Sequence, residues 1–210
     1  MGPANLLAHF IPASAMVGGS LGIKWSVPEK LQQVLRPSNL SASTHARYNA
    51  DGFLIYSANH QTDECASYVQ VFRNGCLEYG EGYITSAAAL QGHIAKIPSK
   101  PLEKKLAEIF ENGITWLNSN ATEDPVYFCC SLIGVRGMRL SRHWTFDVSP
   151  TLSFDRQVIA IPEIQITDRK EARPYRSSLL PIVNSIWQAN GYESTPFLAD
   201  SGGQWDPFTF

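Results

Sequence analysis

The feature that most limits the possible folds is a hairpin signal in residues 68–83, YVQVFRNGCLEYGEGY. Two runs of strand-forming residues flank Asn74-Gly75, and this dipeptide favours the positive φ angles of a two-residue type I′ turn. Such a turn would place Val71 opposite Glu78. The pattern therefore predicts an antiparallel hairpin. Its core face would carry Tyr68, Phe72, Leu77 and Tyr79.

The remaining signals place several strands before the first strong helix. Four more strands are predicted, at 6–11, 52–57, 126–135 and 156–166. The first is expected either at the edge of a sheet or entering one, the third is expected to be central and buried on both faces, and Pro162 in the last implies an edge or a bulge. Amphipathic helices are predicted at 102–117 and 179–190, and a shorter one at 28–36.

This order of elements favours an α+β fold over a regularly alternating parallel sheet. We expect a mixed or antiparallel sheet with two main helices packed on it. With 210 residues, 44% of them hydrophobic, the chain can bury a sizeable core. A single domain over 1–210 is expected, in which 13–46 form a partly irregular connection and 192–210 form a C-terminal tail packed on the body.

Charge and cysteine usage limit the partners and the compartment. The formal net charge of −2 provides no global positive field for nucleic acid or an anionic membrane. The cysteines Cys65, Cys76, Cys129 and Cys130 have neither CxxC nor zinc-type spacing, so no metal site is predicted. No phosphate loop or dinucleotide fingerprint is present, so no cofactor is predicted either. Without a secretion signal or a membrane-spanning run, a reduced cytoplasmic protein is expected.

Two basic clusters are candidate anion sites, with exposed loop charge as the alternative. The first contains Arg136, Arg139, Arg142 and His143. The second contains Arg169, Lys170, Arg173 and Arg176. The five histidines are scattered along the chain, which is typical of surface or core polar residues, and only His143 stands out because it follows three arginines.

Two further pairs of residues are ligand-binding candidates. Arg73 and Glu78 form either a diagonal cross-strand pair or an anion-facing arginine that the glutamate orients. Asn49 and Asp51 could bind a ligand, although such residues before a glycine usually shape a turn. Both interpretations remain open from the sequence.

An ordered set of segments resembles a known family: HFIP (9–12), RYNADGFL (47–54), YVQVFRNGCLE (68–78), VYFCCSLIGVRGM (126–138), LLPIVNSIWQANGY (179–192) and GGQW (202–205). The set resembles the C-terminal region of prokaryotic proteins that begin with an AlbA-like, Schlafen-type DNA-binding domain and are often labelled helix-turn-helix or ATP-binding proteins. The Glu-rich signature of that N-terminal module has no counterpart in this sequence. The resemblance therefore implies kinship without transferring nucleic-acid binding or a catalytic residue.

These observations lead to the hypothesis of a non-catalytic sensing or interaction domain. It would bind a ligand, a partner protein or a second copy of itself, and in relatives it would follow a Schlafen-type module. The alternative is an enzyme that acts on a phosphate-bearing substrate through the segment from Arg136 to His143. Direct nucleic-acid binding is a third hypothesis, which the balanced charge disfavours.

Overall fold

The computed structural model describes residues 4–17, 35, 43–58, 65–82, 84, 96–120, 124–141, 152–169, 176–197 and 205–208. These residues form an antiparallel seven-stranded sheet, two helices and a small parallel strand pair, so the chain has an α+β fold, as predicted. None of the described helices is long and apolar enough to span a membrane. Of the predicted helix at 28–36, only Leu35 is described.

The strands are β1 (Asn5–Pro12), β2 (Ser43–Tyr48), β3 (Gly52–Ala58), β4 (Cys65–Phe72), β5 (Leu77–Glu81), β6 (Lys96–Pro98), β7 (Val126–Ile133), β8 (Arg139–Ser141) and β9 (Val158–Ile166). The helices are α1 (Ser99–Ser119) and α2 (Arg176–Ala189), and a 3-10 turn, Ala13–Val17, follows β1. The large sheet has the order β2-β3-β4-β5-β1-β7-β9, while β6 pairs with β8. All neighbours within the large sheet are antiparallel.

The first strand lies inside the sheet, so of its two predicted positions, at an edge or entering a sheet, the edge position was wrong. It pairs along its length with β7 and over five residues with β5. Pro12 suggested an edge, but it is the last residue of β1, where it ends the strand. The prediction for β7 was right about its central place and wrong about its burial, because alternate residues of that strand are only half-buried.

The core lies between α1 and one face of the sheet. Phe10 of β1 contacts Phe128 of β7 and Phe110 of α1, with ring centroids 4.7 and 6.0 Å away. A Cβ atom on Gly113 would lie 2.3 Å from the Phe10 ring, so the helix can approach the sheet this closely only with glycine at that position. Helix α2 adds Ile182, Ile186 and other side chains to the same core.

Pro181 lies inside α2, where the sequence had placed it in the first turn. The helix begins at Arg176, upstream of the apolar stripe that marked its predicted start. Pro162, by contrast, has both of its predicted properties. It belongs to β9, which is an edge strand, and the pairing of β9 with β7 shifts register beside it, between Phe128 and Cys130.

The turn of the β4–β5 hairpin contains three residues, where the sequence predicted two. The backbone N–H of Gly75 donates to the Phe72 carbonyl over 3.0 Å, and that of Phe72 donates to the Cys76 carbonyl over 2.9 Å. Gly75 has φ 90°, which is typical of a three-residue loop that closes with a bulge. The asparagine–glycine pair therefore forms the last two residues of a longer loop.

The longer loop shifts the hairpin register by one residue, so the predicted core face was right for Leu77 and Tyr79 of β5 and wrong for Tyr68 and Phe72 of β4. Val71 lies opposite Leu77, and Gln70 lies opposite Glu78. Because side chains alternate across a strand, Tyr68 and Phe72 lie on the opposite face from Leu77 and Tyr79. The predicted pair of Arg73 with Glu78 does not form, since Glu78 bonds to other side chains.

Candidate functional site

The sheet has a second face that neither described helix covers, which we call the open face. Along β1 the buried residues Leu6, Ala8 and Phe10 point to the core, while the residues between them are half-buried on the other side. The buried side chains of α1 and α2 belong to the same core cluster as Phe10. Several side chains of this face, among them His9 and Glu78, are therefore partly exposed, whereas Gln70 beside Glu78 is buried.

Three side chains from adjacent strands form a hydrogen-bonded row on the open face, which we call the Tyr68–Glu78–His9 chain. The Tyr68 hydroxyl donates to Oε1 of Glu78 over 2.7 Å, and Nε2 of His9 lies 2.8 Å from Oε2. The register explains this arrangement, because His9 of β1 lies directly opposite Glu78 of β5. The exposed fractions of the two side chains are 33% for His9 and 23% for Glu78, so a bound molecule can reach both.

The chain has a defined donor and acceptor pattern. A carboxylate only accepts hydrogen bonds, so an ionised Glu78 requires a proton on Nε2 of His9. Partial burial, followed by the hydrogen bond to Glu78, raises the pKa of Tyr68 and keeps its hydroxyl protonated. Among the described residues, no second hydrogen bond reaches the His9 ring. Its Nδ1 atom therefore presents one acceptor when the ring is neutral and one donor when it is protonated.

Cys129 lies opposite His9 on the neighbouring strand, and the pair resembles a nucleophile beside a base only in its composition. No hydrogen bond joins the two side chains within the described part of the chain. Burial and, to a smaller extent, the charge of Glu163 raise the pKa of the Cys129 thiol. A thiol that stays protonated at neutral pH is a weak nucleophile, so the geometry does not favour covalent catalysis here.

A second polar cluster is sealed inside the core around Glu103 of α1, which is 2% exposed. Its Oε1 atom accepts hydrogen bonds from Trp187 Nε1 at 2.8 Å and from the Thr195 hydroxyl at 3.0 Å. Its Oε2 atom accepts one from Trp205 Nε1 at 2.6 Å. Burial raises the pKa of Glu103, while the three hydrogen bonds lower it. The cluster ties α2 and the segment around Trp205 to α1.

Of the four hairpin and turn candidates, the structure brings Arg73, Asn49 and Asp51 together. Arg73 donates from Nε to the Ala50 carbonyl over 3.0 Å and from Nη2 to the Asn49 carbonyl over 3.4 Å. Oδ1 of Asn49 accepts from the backbone N–H groups of Asp51 and Gly52, which is the turn-shaping role expected of an asparagine before glycine. Arg73 therefore supports the β2–β3 turn, while Glu78 belongs to the open face.

Two members of the first basic cluster are described, and they lie away from Arg73. Arg136 is exposed in the turn after β7, and Arg139 is half-buried in β8. Ile133, which precedes that turn, pairs with Asn5 at the start of β1, whereas Arg73 lies beyond the end that carries Phe10. Arg73 and Arg136 therefore do not converge on one cleft. Arg142 and His143 lie outside the described residues.

Of the second cluster, only the side chain of Arg169 is described. It is buried, and its Nε atom donates to Oδ1 of Asp124. Asn118 of α1 also donates to the Arg169 carbonyl over 2.6 Å. These contacts connect the segment after β9 to the end of α1 and to the start of β7, which is a structural role.

A surface groove of about 570 Å³ runs between residues 152–160 and the end of α2. Its charged side chains, Asp155 and Arg156, are each 77% exposed and lie 3.9 Å apart. Asn190 is buried at the groove, but it already accepts from Leu140 N and donates to the Met138 carbonyl. The groove offers less preorganised polar chemistry than the open face.

Sequence reasoning missed His9 and Tyr68 as site residues. The signal was present in the alternation of β1, where His9 lies two residues from Leu7 and Ile11 on one face. It could not be paired with Glu78 without the strand order, because 69 residues separate the two in sequence. Tyr68 was assigned to the wrong face by the two-residue turn.

No protein-family model, curated protein or solved structure matches this chain. Among the described residues, no three or more His, Cys, Asp or Glu side chains are grouped so that they could hold a metal ion.

Proposed function

We propose that this chain is a non-catalytic interaction domain, which binds a ligand or partner protein through the open face of its sheet. The observation that carries the proposal is the Tyr68–Glu78–His9 chain, because its polar atoms are both ordered and accessible. In keeping with the sequence resemblance, the domain would act beside a Schlafen-type module.

Preorganisation supports this proposal. The three residues lie on adjacent strands, and each of them is restrained by a neighbour in the row. Little side-chain entropy is lost when a partner binds groups that are already held in place. A rigid sheet also positions binding groups more accurately than a loop does.

The two alternatives have less support from the geometry. An enzyme acting on a phosphate-bearing substrate would need the segment from Arg136 to His143. Of its four basic residues only Arg136 and Arg139 are described, and Arg136 is exposed in a turn. Direct nucleic-acid binding would need a concentrated positive surface, whereas the chain has a net charge of −2 and Glu78 at the centre of its open face.

The proposal can be tested with an NMR-detected screen of the intact chain against a library of small carboxylates, amines, amides and phosphate esters. We expect the binding compounds to shift the backbone signals of His9, Glu78 and their strand neighbours. His9→Ala and Tyr68→Phe should weaken the binding of these compounds, and Arg136→Ala should not. Mass spectrometry should recover each bound compound unchanged after incubation.

Two outcomes would contradict the proposal. In the first, the compounds shift only signals around Arg136 or around the groove at 152–160. In the second, the chain converts a compound to product, and substituting one of the described residues lowers the rate of that conversion. The first outcome would move the binding site, and the second would replace the non-catalytic role with an enzymatic one.

A further inference from the structure

The edge strand β2 projects beyond the core of the protein. Among the described strands it pairs with β3 alone, and four of its side chains are exposed: Thr44, His45, Arg47 and Tyr48. Because neighbouring side chains point to opposite faces, this exposure covers both faces of the strand. Tyr48 is 58% exposed although it lies on the same face as the core. Helix α1 therefore does not cover this edge.

The opposite edge of the sheet is protected, and β2 is not. Edge strands are commonly blocked by proline, by a bulge or by charge that points across the edge. Strand β9 contains Pro162 and a register shift. Strand β2 pairs with β3 without interruption and contains no proline. Its one permanent charge, Arg47, places its guanidinium carbon 5.8 Å from the Tyr56 ring centre, over β3.

The pairing pattern shows which backbone groups of β2 point outward. The N–H of Asn49 donates to the Gly52 carbonyl over 3.0 Å, which makes these residues a hydrogen-bonded pair. Such pairs alternate along an antiparallel ladder, so His45 and Arg47 also bond to β3. The backbone groups of Thr44, Ala46 and Tyr48 then point away from the sheet. Among the described residues, none forms a hydrogen bond with the outward groups of Thr44 or Ala46.

We infer that the outer edge of β2 binds an extended segment of a partner protein by strand addition, and that this segment carries carboxylates at alternate positions. The inference rests on the proposed interaction function and gives it a class of partner. Main-chain hydrogen bonds to the outward groups supply affinity in this mode of recognition, and alternate side chains supply specificity.

The charges around β2 favour an acidic segment. His45 and Arg47 lie two residues apart on one face, and Arg73 lies beside the turn that follows the strand. Asp51 is the only carboxylate between residues 43 and 58. Carboxylates two residues apart on an added strand would face His45 and Arg47 together. On the other face, an apolar side chain would cover Tyr48.

The size of the edge argues for a peptide segment over a second copy of the chain. A strand of six residues extends about 20 Å. Pairing two such strands involves about six residues on each side, whereas stable protein interfaces use roughly 20–30. Self-pairing would also bring two sets of His45 and Arg47 together without a carboxylate in either strand.

Fluorescence anisotropy with two labelled peptides of about ten residues tests the inference on the intact chain. One peptide alternates Glu and Val, and the other alternates Lys and Val. We expect the Glu peptide to bind at least about tenfold more tightly. Arg47→Glu should reverse this preference, while Arg136→Glu, which makes the same charge change at the other end of the sheet, should leave it intact.

The backbone part of the inference has its own variant. Ala46→Pro removes one outward N–H and leaves the backbone hydrogen bonds to β3 in place. It should therefore lower the affinity for the Glu peptide by about tenfold or more. If that variant does not fold, hydrogen exchange on the unmutated chain gives the same information. The Glu peptide should slow hydrogen exchange of the Thr44 and Ala46 amides, and should change that of the Arg47 amide much less.

Three results would overturn the inference. The first is that neither peptide binds and no β2 amide is slowed. The second is equal binding of both peptides, which would remove the acidic class. The third is a concentration-dependent dimer that Ala46→Pro abolishes, which would make a second copy the occupant. If His9→Ala and Tyr68→Phe leave peptide binding intact while the compound screen fails, only the proposed open-face function is rejected.

Discussion

Consecutive residues of β1 belong to two very different surfaces. Phe10 is fully buried among the rings of Phe110 and Phe128, whereas His9 is one-third exposed and hydrogen-bonded across the sheet. The difference shows that one strand serves stability through one set of side chains and surface chemistry through the alternate set. Substitutions on the two faces should therefore separate loss of folding from loss of binding.

Two glutamates on the opposite faces extend this comparison. Glu103 is sealed in the core by donors from Trp187, Thr195 and Trp205, while Glu78 accepts from Tyr68 and His9 at the surface. Both carboxylates are held in place, but only Glu78 can be reached by another molecule. Local hydrogen bonding alone therefore does not identify a binding group, and its exposure must be considered as well.

The largest effect is expected when the two faces of β1 are compared directly. Phe10→Ala should lower the free energy of unfolding by about 3–5 kcal/mol, because it leaves a cavity between α1 and the sheet. Leu7→Ala, on the open face of the same strand, should lower it by about 1 kcal/mol or less. Urea unfolding of both variants measures the difference. Equal losses would mean that the open face is as well packed as the core.

The same comparison on the hairpin tests its register. Leu77→Ala should cost about 2–5 kcal/mol, since this side chain is fully buried. Phe72→Ala should cost only about 1 kcal/mol, because the larger ring lies half-buried on the open face. Urea unfolding again provides the measurement. A larger loss for Phe72 would support the two-residue turn and its register.

The buried glutamate should show a smaller effect that depends on pH. Glu103→Gln leaves one of three donors without an acceptor and should cost about 1–3 kcal/mol. Burial raises the folded-state pKa of Glu103, so its contribution to stability is complete below the unfolded-state pKa and is lost as pH rises through the raised value.

The cost of Glu103→Gln should therefore be largest in acid and should shrink as pH rises. Thermal unfolding of both proteins across the acidic and neutral range measures this trend. A cost that grows with pH would mean that the three donors outweigh burial and lower the pKa. Glu193→Gln, at an exposed position, is the control and should change the free energy of unfolding by less than about 0.5 kcal/mol.

The smallest effect is expected on the open face. Tyr68→Phe removes the hydrogen bond to Glu78 and should cost about 0.5–1.5 kcal/mol. The change in unfolding free energy should be small enough to leave the chain folded, so that binding can be measured on the variant. A loss as large as that of Phe10→Ala would assign Tyr68 to the core.

The sequence was most informative where a pattern was long and local. The amphipathic stripe of α1 and the apolar run of β7 predicted both elements, and the fold class followed from their order. The pairing between strands was harder to predict, because one additional loop residue at Arg73 moves the β4 side chains Tyr68 and Phe72 to the face opposite Leu77 and Tyr79. The approach of His9 to Glu78 could not be predicted either, since it depends on β1 entering the middle of the sheet.

Glu103 also sets a requirement on the order in which the protein folds. Its bond to Trp205 connects residues 102 positions apart, and its bonds to Trp187 and Thr195 connect residues almost as distant. Contacts between such distant segments form late, because closing a long loop costs entropy before the contact rewards it. During synthesis, α1 emerges long before any of its three donors. Until residue 205 is available, Glu103 lacks at least one of its three donors, so its full set of hydrogen bonds forms only after the segment around Trp205 packs on α1.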